Sequence, residues 1–225
     1  KIPGADVDAI TSTIGRDRRI SPHYFRGGLA FGGNCFPRDT RAFRAFAAAH
    51  GDPAELVNAC DRVNAHQDEH LVATTLKLIA ETGQRTVGVL GLAFKPNTFV
   101  IAESPAIKLI QALLRENIHI IAHDPIANEN AKILFGDQVQ YVNSPEQCMA
   151  LSSLWVVTLP TNEFKRAIQG YNDERDVVVL DCWRALEAAH PNPHVRIVPM
   201  GRAVAPSKLL SLPARTDPRE EAIAA

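Results

Sequence analysis

Two hydrophobic periods divide this chain. Up to about residue 82 the apolar positions recur at helical spacing. The pattern predicts a first helix over 5–14, a second starting at Pro37 and a third over 53–82, the last without an internal Gly or Pro. At 1.5 Å per residue the third helix would be about 45 Å long. Leu56, Cys60, Val63, Leu71, Leu78 and Ile79 fall toward one side of it. Such a length suits a dimer core or a spine between domains; the other reading is an ordinary helix broken near Ala65 and His66. The spine is the expectation.

From residue 85 the period shortens. Apolar runs at 86–91, 118–122, 139–142, 154–159, 176–180 and Val195–Pro199 predict strands, and helix-sized segments separate them. Ser104-Pro105 has the form of a helix start, and Ile107, Ile110, Leu113 and Leu114 follow at helical spacing. Strands alternating with helices imply a parallel sheet covered on both faces. The expected class is α/β: a helical segment over 1–83 with a long spine helix, then a Rossmann-like parallel α/β domain over 84–202. Residues 203–225 are rich in Pro, Ala and charge, and predict a flexible C-terminal tail.

Composition narrows the class further. With 46% hydrophobic and 22% charged residues, the chain has the make-up of a soluble globular protein. A formal net charge of -1 argues against nucleic-acid binding. No apolar run approaches a membrane span, and no signal segment opens the sequence. The four cysteines, Cys35, Cys60, Cys148 and Cys182, are scattered, which predicts neither a metal site nor a disulfide framework and fits a reducing cytoplasm. The chain opens at Lys1-Ile2-Pro3-Gly4 without a methionine and reads as a fragment of something longer.

The run Gly32-Gly33-Asn34-Cys35-Phe36-Pro37-Arg38-Asp39 carries the clearest chemistry. Two glycines before a cysteine let backbone and ligand come close to the sulfur. Pro37 suits the first turn of a helix, so the thiol would lie just outside a helix N-terminus, where unpaired N–H groups and the dipole favour a thiolate. That is the setting of a nucleophile; the plainer reading is a buried structural cysteine.

An α/β sheet raises the question of a dinucleotide. The first strand runs into Gly88-Val89-Leu90-Gly91-Leu92-Ala93-Phe94, which does not fit G-x-G-x-x-G, and Asp124 lies beyond the usual spacing of a ribose-binding acid. A nucleotide could still bind at the carboxyl ends of the strands. Phe94 could stack on a base or sugar there and Lys95 could meet an anion or hydroxyl, or both could be packing and solvated surface.

Together these motifs resemble a known family. The stretch from Ala30 to Asp39, the later Gly91-Leu92-Ala93-Phe94-Lys95-Pro96, then Glu103-Ser104-Pro105 and Asp124-Pro125, is similar to the UDP-glucose/GDP-mannose dehydrogenase family. The resemblance implies an enzyme in three parts: an N-terminal Rossmann domain for NAD, a central helical domain that forms the homodimer, and a C-terminal Rossmann-like domain for the sugar nucleotide. This chain matches the last two. The implied reaction oxidises the C6 alcohol of UDP-glucose to the carboxylate of UDP-glucuronate with two NAD. Cys35 would form a thiohemiacetal and then a thioester.

The resemblance also assigns residues. Asp39 would orient water, since an anion beside Cys35 disfavours the thiolate. Arg19 would reach into the partner subunit's site. Tyr24, Phe25, Arg26, Phe31 and Gly32 would wrap the sugar and diphosphate, Phe94 and Lys95 would meet the uridine and sugar, and Cys35 and Arg38 would border NAD. Three features depart from the family's pattern: Arg38 stands for a usual Lys, Ala102 for a usual NAD-contacting Arg, and Cys182-Trp183-Arg184 for a common Gly-Arg, which leaves open whether Arg184 reaches the ligand. Ile20-Ser21-Pro22-His23-Tyr24, then Leu29-Ala30-Phe31, together with Asp39-Thr40-Arg41-Ala42, is also similar to the GDP-mannose branch. A non-catalytic sugar-nucleotide-binding or dimerisation module is the alternative of another class, and a cysteine hydrolase using one of the histidines is a third.

Overall fold

The structure, a computed structural model, describes residues 2, 4–23, 25–186 and 189–202. Three helices lead the chain: α1 (Val7–Ile14), α2 (Phe36–Ala49) and α3 (Glu55–Thr82). Then follow β1 (Thr86–Leu90), α4 (Pro105–Arg115), β2 (His119–His123), α5 (Asn128–Phe135), a 3₁₀ turn (Gly136–Gln138), β3 (Gln140–Tyr141), α6 (Pro145–Leu151), β4 (Leu154–Val157), α7 (Asn162–Gln169), β5 (Val177–Asp181) and β6 (Val195–Pro199). The six strands form one sheet in the order β3-β2-β1-β4-β5-β6, with every pair parallel. This is the doubly wound order, whose direction of travel reverses between β1 and β4. Right-handed crossovers therefore place α4 and α5 on one face and α6 and α7 on the other. That explains why β1, β2, β4 and β5 are almost continuously buried and read as apolar runs without alternation.

The helix α3 is unbroken over 28 residues, with no interruption at Ala65 or His66. Its two halves differ in surroundings. Leu71, Thr75, Leu78 and Ile79 are buried, and this half packs beside α4 and reaches β4. Toward its start the apolar side chains face outward instead: Leu56 is 84% and Val63 61% exposed, and Cys60 is exposed too. One apolar side thus serves two environments, which the spacing alone did not separate.

The turn after β1 is built around Asp124, at the end of β2. Its Oδ2 accepts the N–H groups of Leu92 (2.8 Å) and Ala93 (3.1 Å), and its Oδ1 accepts those of Ile126 and Ala127 (both 2.9 Å). Four backbone donors that would otherwise be orphaned share one buried carboxylate. Asp181 does the same after β5, accepting Trp183 and Leu186. The expected C-terminal tail lies outside the described residues, and among those described no helix is long and apolar enough to cross a membrane.

Replacing Asp124 by Ala strips buried N–H groups of their acceptor and should cost about 3–5 kcal/mol in urea unfolding followed by tryptophan fluorescence. Asp124→Asn, which keeps one oxygen acceptor, should cost less.

Candidate functional site

Cys35 is the N-cap of α2, and Pro37 sits in the first turn. The thiol is exposed and makes no capping hydrogen bond. It is therefore at the helix N-terminus as the residues predict, with α2 beginning one residue earlier than expected. Cys60 is also exposed, whereas Cys148 and Cys182 are buried; burial pushes the Cys148 thiol up to about 12 and Cys182 higher still. Chemistry at sulfur is confined to the exposed pair by this contrast.

The loop before Cys35 is seated on two supports. Asn64 on α3 clamps Phe31 from both sides: its Oδ1 accepts the Phe31 N–H (2.7 Å) and its Nδ2 donates to the Phe31 carbonyl (3.0 Å). The second support is the connection from β1 to α4. Gly33 N–H donates to the Ala102 carbonyl (2.8 Å), and Gly33 has φ +84°. A Cβ there would fall 2.7 Å from the Phe94 ring, and one on Gly32 would run into the Glu103 carbonyl. Both glycines are thus required by close approach, and Gly33 by its backbone angle as well. The consequence is that Phe31, Gly32, Cys35 and Phe94 belong to one neighbourhood. Lys95 is exposed beside them, its Nζ 5.4 Å from the Phe94 ring centroid. Phe36 completes the wall, edge-on to Phe31 at 5.8 Å.

The other expected site residues make contacts of their own. Arg19 is exposed and paired with Asp17 at 2.6 Å. Phe25 and Arg26 are exposed, and the Arg26 charge contributes to holding the Asp8 carboxyl low, after the larger effect of Arg184. Tyr24 lies outside the described residues. Arg184 is a structural tie: its guanidinium is 2% exposed and bonds Asp8 (2.7 and 3.0 Å), the Met200 carbonyl (2.9 Å) and the Gly27 carbonyl. Trp183 donates from Nε1 to the Thr158 carbonyl (2.8 Å), and its ring lies against Gly28. The 27–33 segment is therefore laid along the carboxyl edge of the sheet, from β5 to the turn after β1.

Asp39 and Arg38 pair at 2.7 Å on the exposed first turn of α2. Hydrogen bonding from Arg38 holds the Asp39 carboxyl below its usual range, so at neutral pH it is an acceptor and not a proton donor. Ala102, which departs from the family pattern, contributes its backbone carbonyl to the loop, a contact indifferent to its side chain. Asn64, Glu103 and the pair Asp68–Lys108 (2.7 Å) went unassigned in the sequence. The available signal was Asn64 and Asp68 four apart on α3, two polar residues on one helix face.

Residues 88–188 match the UDP-binding domain of the UDP-glucose/GDP-mannose dehydrogenase family, and residues 1–66 match that family's central domain. The chain belongs to this family. It is 40% identical over 138 residues to the UDP-glucose 6-dehydrogenase TuaD of Bacillus subtilis, which covers 61% of this chain and 30% of the relative. With AglM, a UDP-glucose 6-dehydrogenase of Haloferax volcanii, identity is 36% over 181 residues, covering 80% and 42%. Among solved structures, a UDP-glucose dehydrogenase from Pyrobaculum islandicum superposes with TM-score 0.73 at 33% identity, over 90% of this chain and 44% of that one. A GDP-mannose dehydrogenase from Pseudomonas aeruginosa shares the fold at 22% identity and TM-score 0.65. The chain spans less than half the length of these relatives.

Family dehydrogenases use NAD, and the sheet of this chain does not fit it. The turn that would cradle a pyrophosphate is held by Asp124, whose two oxygens are spent on backbone N–H groups, and Thr158 Oγ1 donates to the Leu90 and Gly91 carbonyls (2.9 and 2.7 Å) across the β1–β4 crevice. Cys35 and Arg38, exposed at the start of α2, suit an edge contact with such a cofactor. Among the described residues no group of three or more His, Cys, Asp or Glu is placed to hold a metal ion.

Gly33→Ala should lower stability by about 2–4 kcal/mol in thermal unfolding, from the left-handed backbone and the displaced Phe94 ring. The acidic residues behind the loop make a second expectation. Burial outweighs the Lys108 pair and raises the Asp68 carboxyl, whereas hydrogen bonding from Lys108, aided by Arg41, lowers Glu103. Glu103 therefore contributes stability that is present above the ordinary carboxylate range, about pH 4.3, and is lost as pH falls through its lower folded value. Asp68 has the opposite sign, stabilising as it takes up its proton and costing stability once ionised. In pH-dependent unfolding, Glu103→Gln should cost stability at pH 7 and little at about pH 3, while Asp68→Asn should gain relative to the parent toward neutral pH.

Proposed function

We propose that this chain supplies the thiol and the sugar-nucleotide seat of a UDP-glucose 6-dehydrogenase. The observation that carries the reading is the docking of Gly32 and Gly33, close before Cys35 in the chain, on Phe94 and the 102–103 carbonyls. A uridine or sugar ring stacks on Phe94, Lys95 meets a sugar hydroxyl or phosphate, and Phe31 and Gly32 line the sugar. Tyr24, Phe25 and Arg26 extend the wrap around the diphosphate, and Arg19 reaches a second subunit's site. The working division is a helical part over 1–83 and a nucleotide part over 84–202. The outward apolar side chains of α3 (Leu56, Val63) and α2 (Phe43, Phe46) favour a homodimer built on these helices. Four free cysteines suit a reducing cytoplasm.

In the reaction, Cys35 Sγ adds to C6 of the sugar aldehyde, and the carbonyl oxygen takes up a proton. As hydride then leaves that carbon, the hydroxyl gives up its proton, and the acyl–sulfur bond of a thioester remains. Water, held by the ionised Asp39, cleaves this bond, and the thiol regains its proton as the carboxylate leaves. NAD, when bound, supplies the acceptor for the hydrides.

Calorimetric titration with UDP and GDP tests the seat: UDP should bind at least about tenfold tighter than GDP, and Phe94→Ala should weaken UDP by about 1–3 kcal/mol. The chemistry is tested with the UDP-sugar 6-aldehyde, which should bind the parent about tenfold tighter than UDP-glucose and lose that advantage in Cys35→Ala. An aldehyde with no advantage in the parent would leave a binding module without covalent chemistry.

A further inference from the structure

Glu103 touches three pieces of the molecule at once. One carboxyl oxygen accepts from Arg41 in the second turn of α2 (3.1 Å), and the other accepts from Lys108 early in α4 (3.1 Å). Lys108 also donates to Asp68 on α3 (2.7 Å). The backbone of the same turn holds the cysteine loop: the Ala102 carbonyl accepts Gly33 N–H, and the Glu103 carbonyl blocks any side chain at Gly32. Cys35 is thus gripped from before and behind by one two-residue turn, through Gly32 and Gly33 on one side and Arg41 on the other.

The grip is graded. Arg41 is well exposed, Glu103 and Lys108 are about one-third exposed, and Asp68 is nearly buried, with its second oxygen unpartnered. Exposed pairs hold weakly, whereas a buried one is costly to break. The end of the chain withdrawn from solvent is Lys108–Asp68, and the solvent-facing end is Arg41–Glu103. Glu103 also has φ +53°, a conformation a non-glycine residue keeps when its surroundings over-determine it. These groups border a cavity of about 210 Å³ that also touches Phe31 and Pro37, the residues flanking the cysteine loop.

We propose that Glu103 and Lys108 are positioning residues for Cys35: the chain Arg41–Glu103–Lys108–Asp68 keeps the start of α2 in register with Phe94 and Lys95, so that filling the nucleotide seat is felt at the thiol. The second half of this statement rests on the function proposed above; the first half does not. A brace that only stabilised the fold would affect unfolding and leave the link between nucleotide and thiol intact.

The test uses the whole chain with Cys60→Ser, which leaves Cys35 as the exposed thiol. Iodoacetamide modification of Cys35 is timed by mass spectrometry with and without UDP, UDP affinity is measured by calorimetry, and hydrogen exchange is followed over 31–39. In the parent, UDP should slow modification by about tenfold, half-saturating at its calorimetric Kd. In Lys108→Met and Glu103→Ala, UDP should bind within about threefold of the parent yet protect Cys35 less than about twofold, while exchange over 31–39 rises about tenfold and the strands stay protected. Lys108→Arg should restore protection. Undiminished protection with unchanged exchange in both variants would overturn the proposal, and so would a rise in exchange that spreads through β1, β4 and β5, since that is a general structural role. If UDP fails to bind the parent, the nucleotide-seat reading fails. The exchange arm then decides the positioning claim by itself: a rise confined to 31–39 upholds it, and no rise overturns it.

Discussion

The constraint on which the site depends is the approach of two glycine backbones to the connection between β1 and α4. At Gly32 the Glu103 carbonyl leaves no room for a Cβ, and at Gly33 the Phe94 ring and a positive φ leave none either. Everything proposed for the site follows from this seat. It carries the N-cap of α2 to the carboxyl edge of the sheet, and it makes the 94–103 segment the wall against which the cysteine loop rests. The same approach accounts for Asn64, which must hold Phe31 so that the loop arrives at the right height.

The sheet shows how a doubly wound fold can be taken out of dinucleotide service. Its strand order and switch point are those of a nucleotide-binding sheet, but the end of β2 offers its carboxylate to its own turn, and a threonine just after β4 crosses the crevice to the Leu90 and Gly91 carbonyls. The place normally kept for a ligand is filled by the chain's own polar groups. What remains open is the flank, where Phe94 and Lys95 project. Fold and ligand position are thus separable, and side chains at strand ends decide between them.

Much of this could be read from the residues. The period change near residue 85, the continuous apolar strands and the Cys35-Phe36-Pro37 start of α2 were legible because each is a local effect of backbone preference or burial. The β5 and β6 runs stand where the apolar residues put them, and α3 is unbroken, which the absence of an internal Gly or Pro favoured over a break near Ala65 and His66. The exposure of Leu56 and Val63 was not legible, because helical spacing reports which residues share a side and says nothing of what covers it. The roles of Arg184 and Asp124 were left open for a different reason. Their roles are set by partners far along the chain, Asp8 in one case and the Leu92–Ala93 amides in the other. The ion-pair chain behind the cysteine loop was hidden likewise, since Asp68, Glu103 and Lys108 each look like solvated charges until α3 and α4 are laid side by side.

The Arg184–Asp8 tie has a consequence for how this chain acquires its shape. It joins residues 176 positions apart, and Arg202 adds a second link to Asp6 and Asp8. Contacts of such separation require most of the chain to be ordered before they form, and a chain rich in them folds more slowly than one built on local contacts. The sheet and α3, rich in nearer contacts, can assemble early, whereas α1 and the Gly27–Gly28 strap can settle only after β5 and β6 are in place. The strap that leads to the cysteine is thus fastened by groups at the far end of the sheet, so framing the Cys35 sulfur depends on β5 and β6 as well as on its own helix.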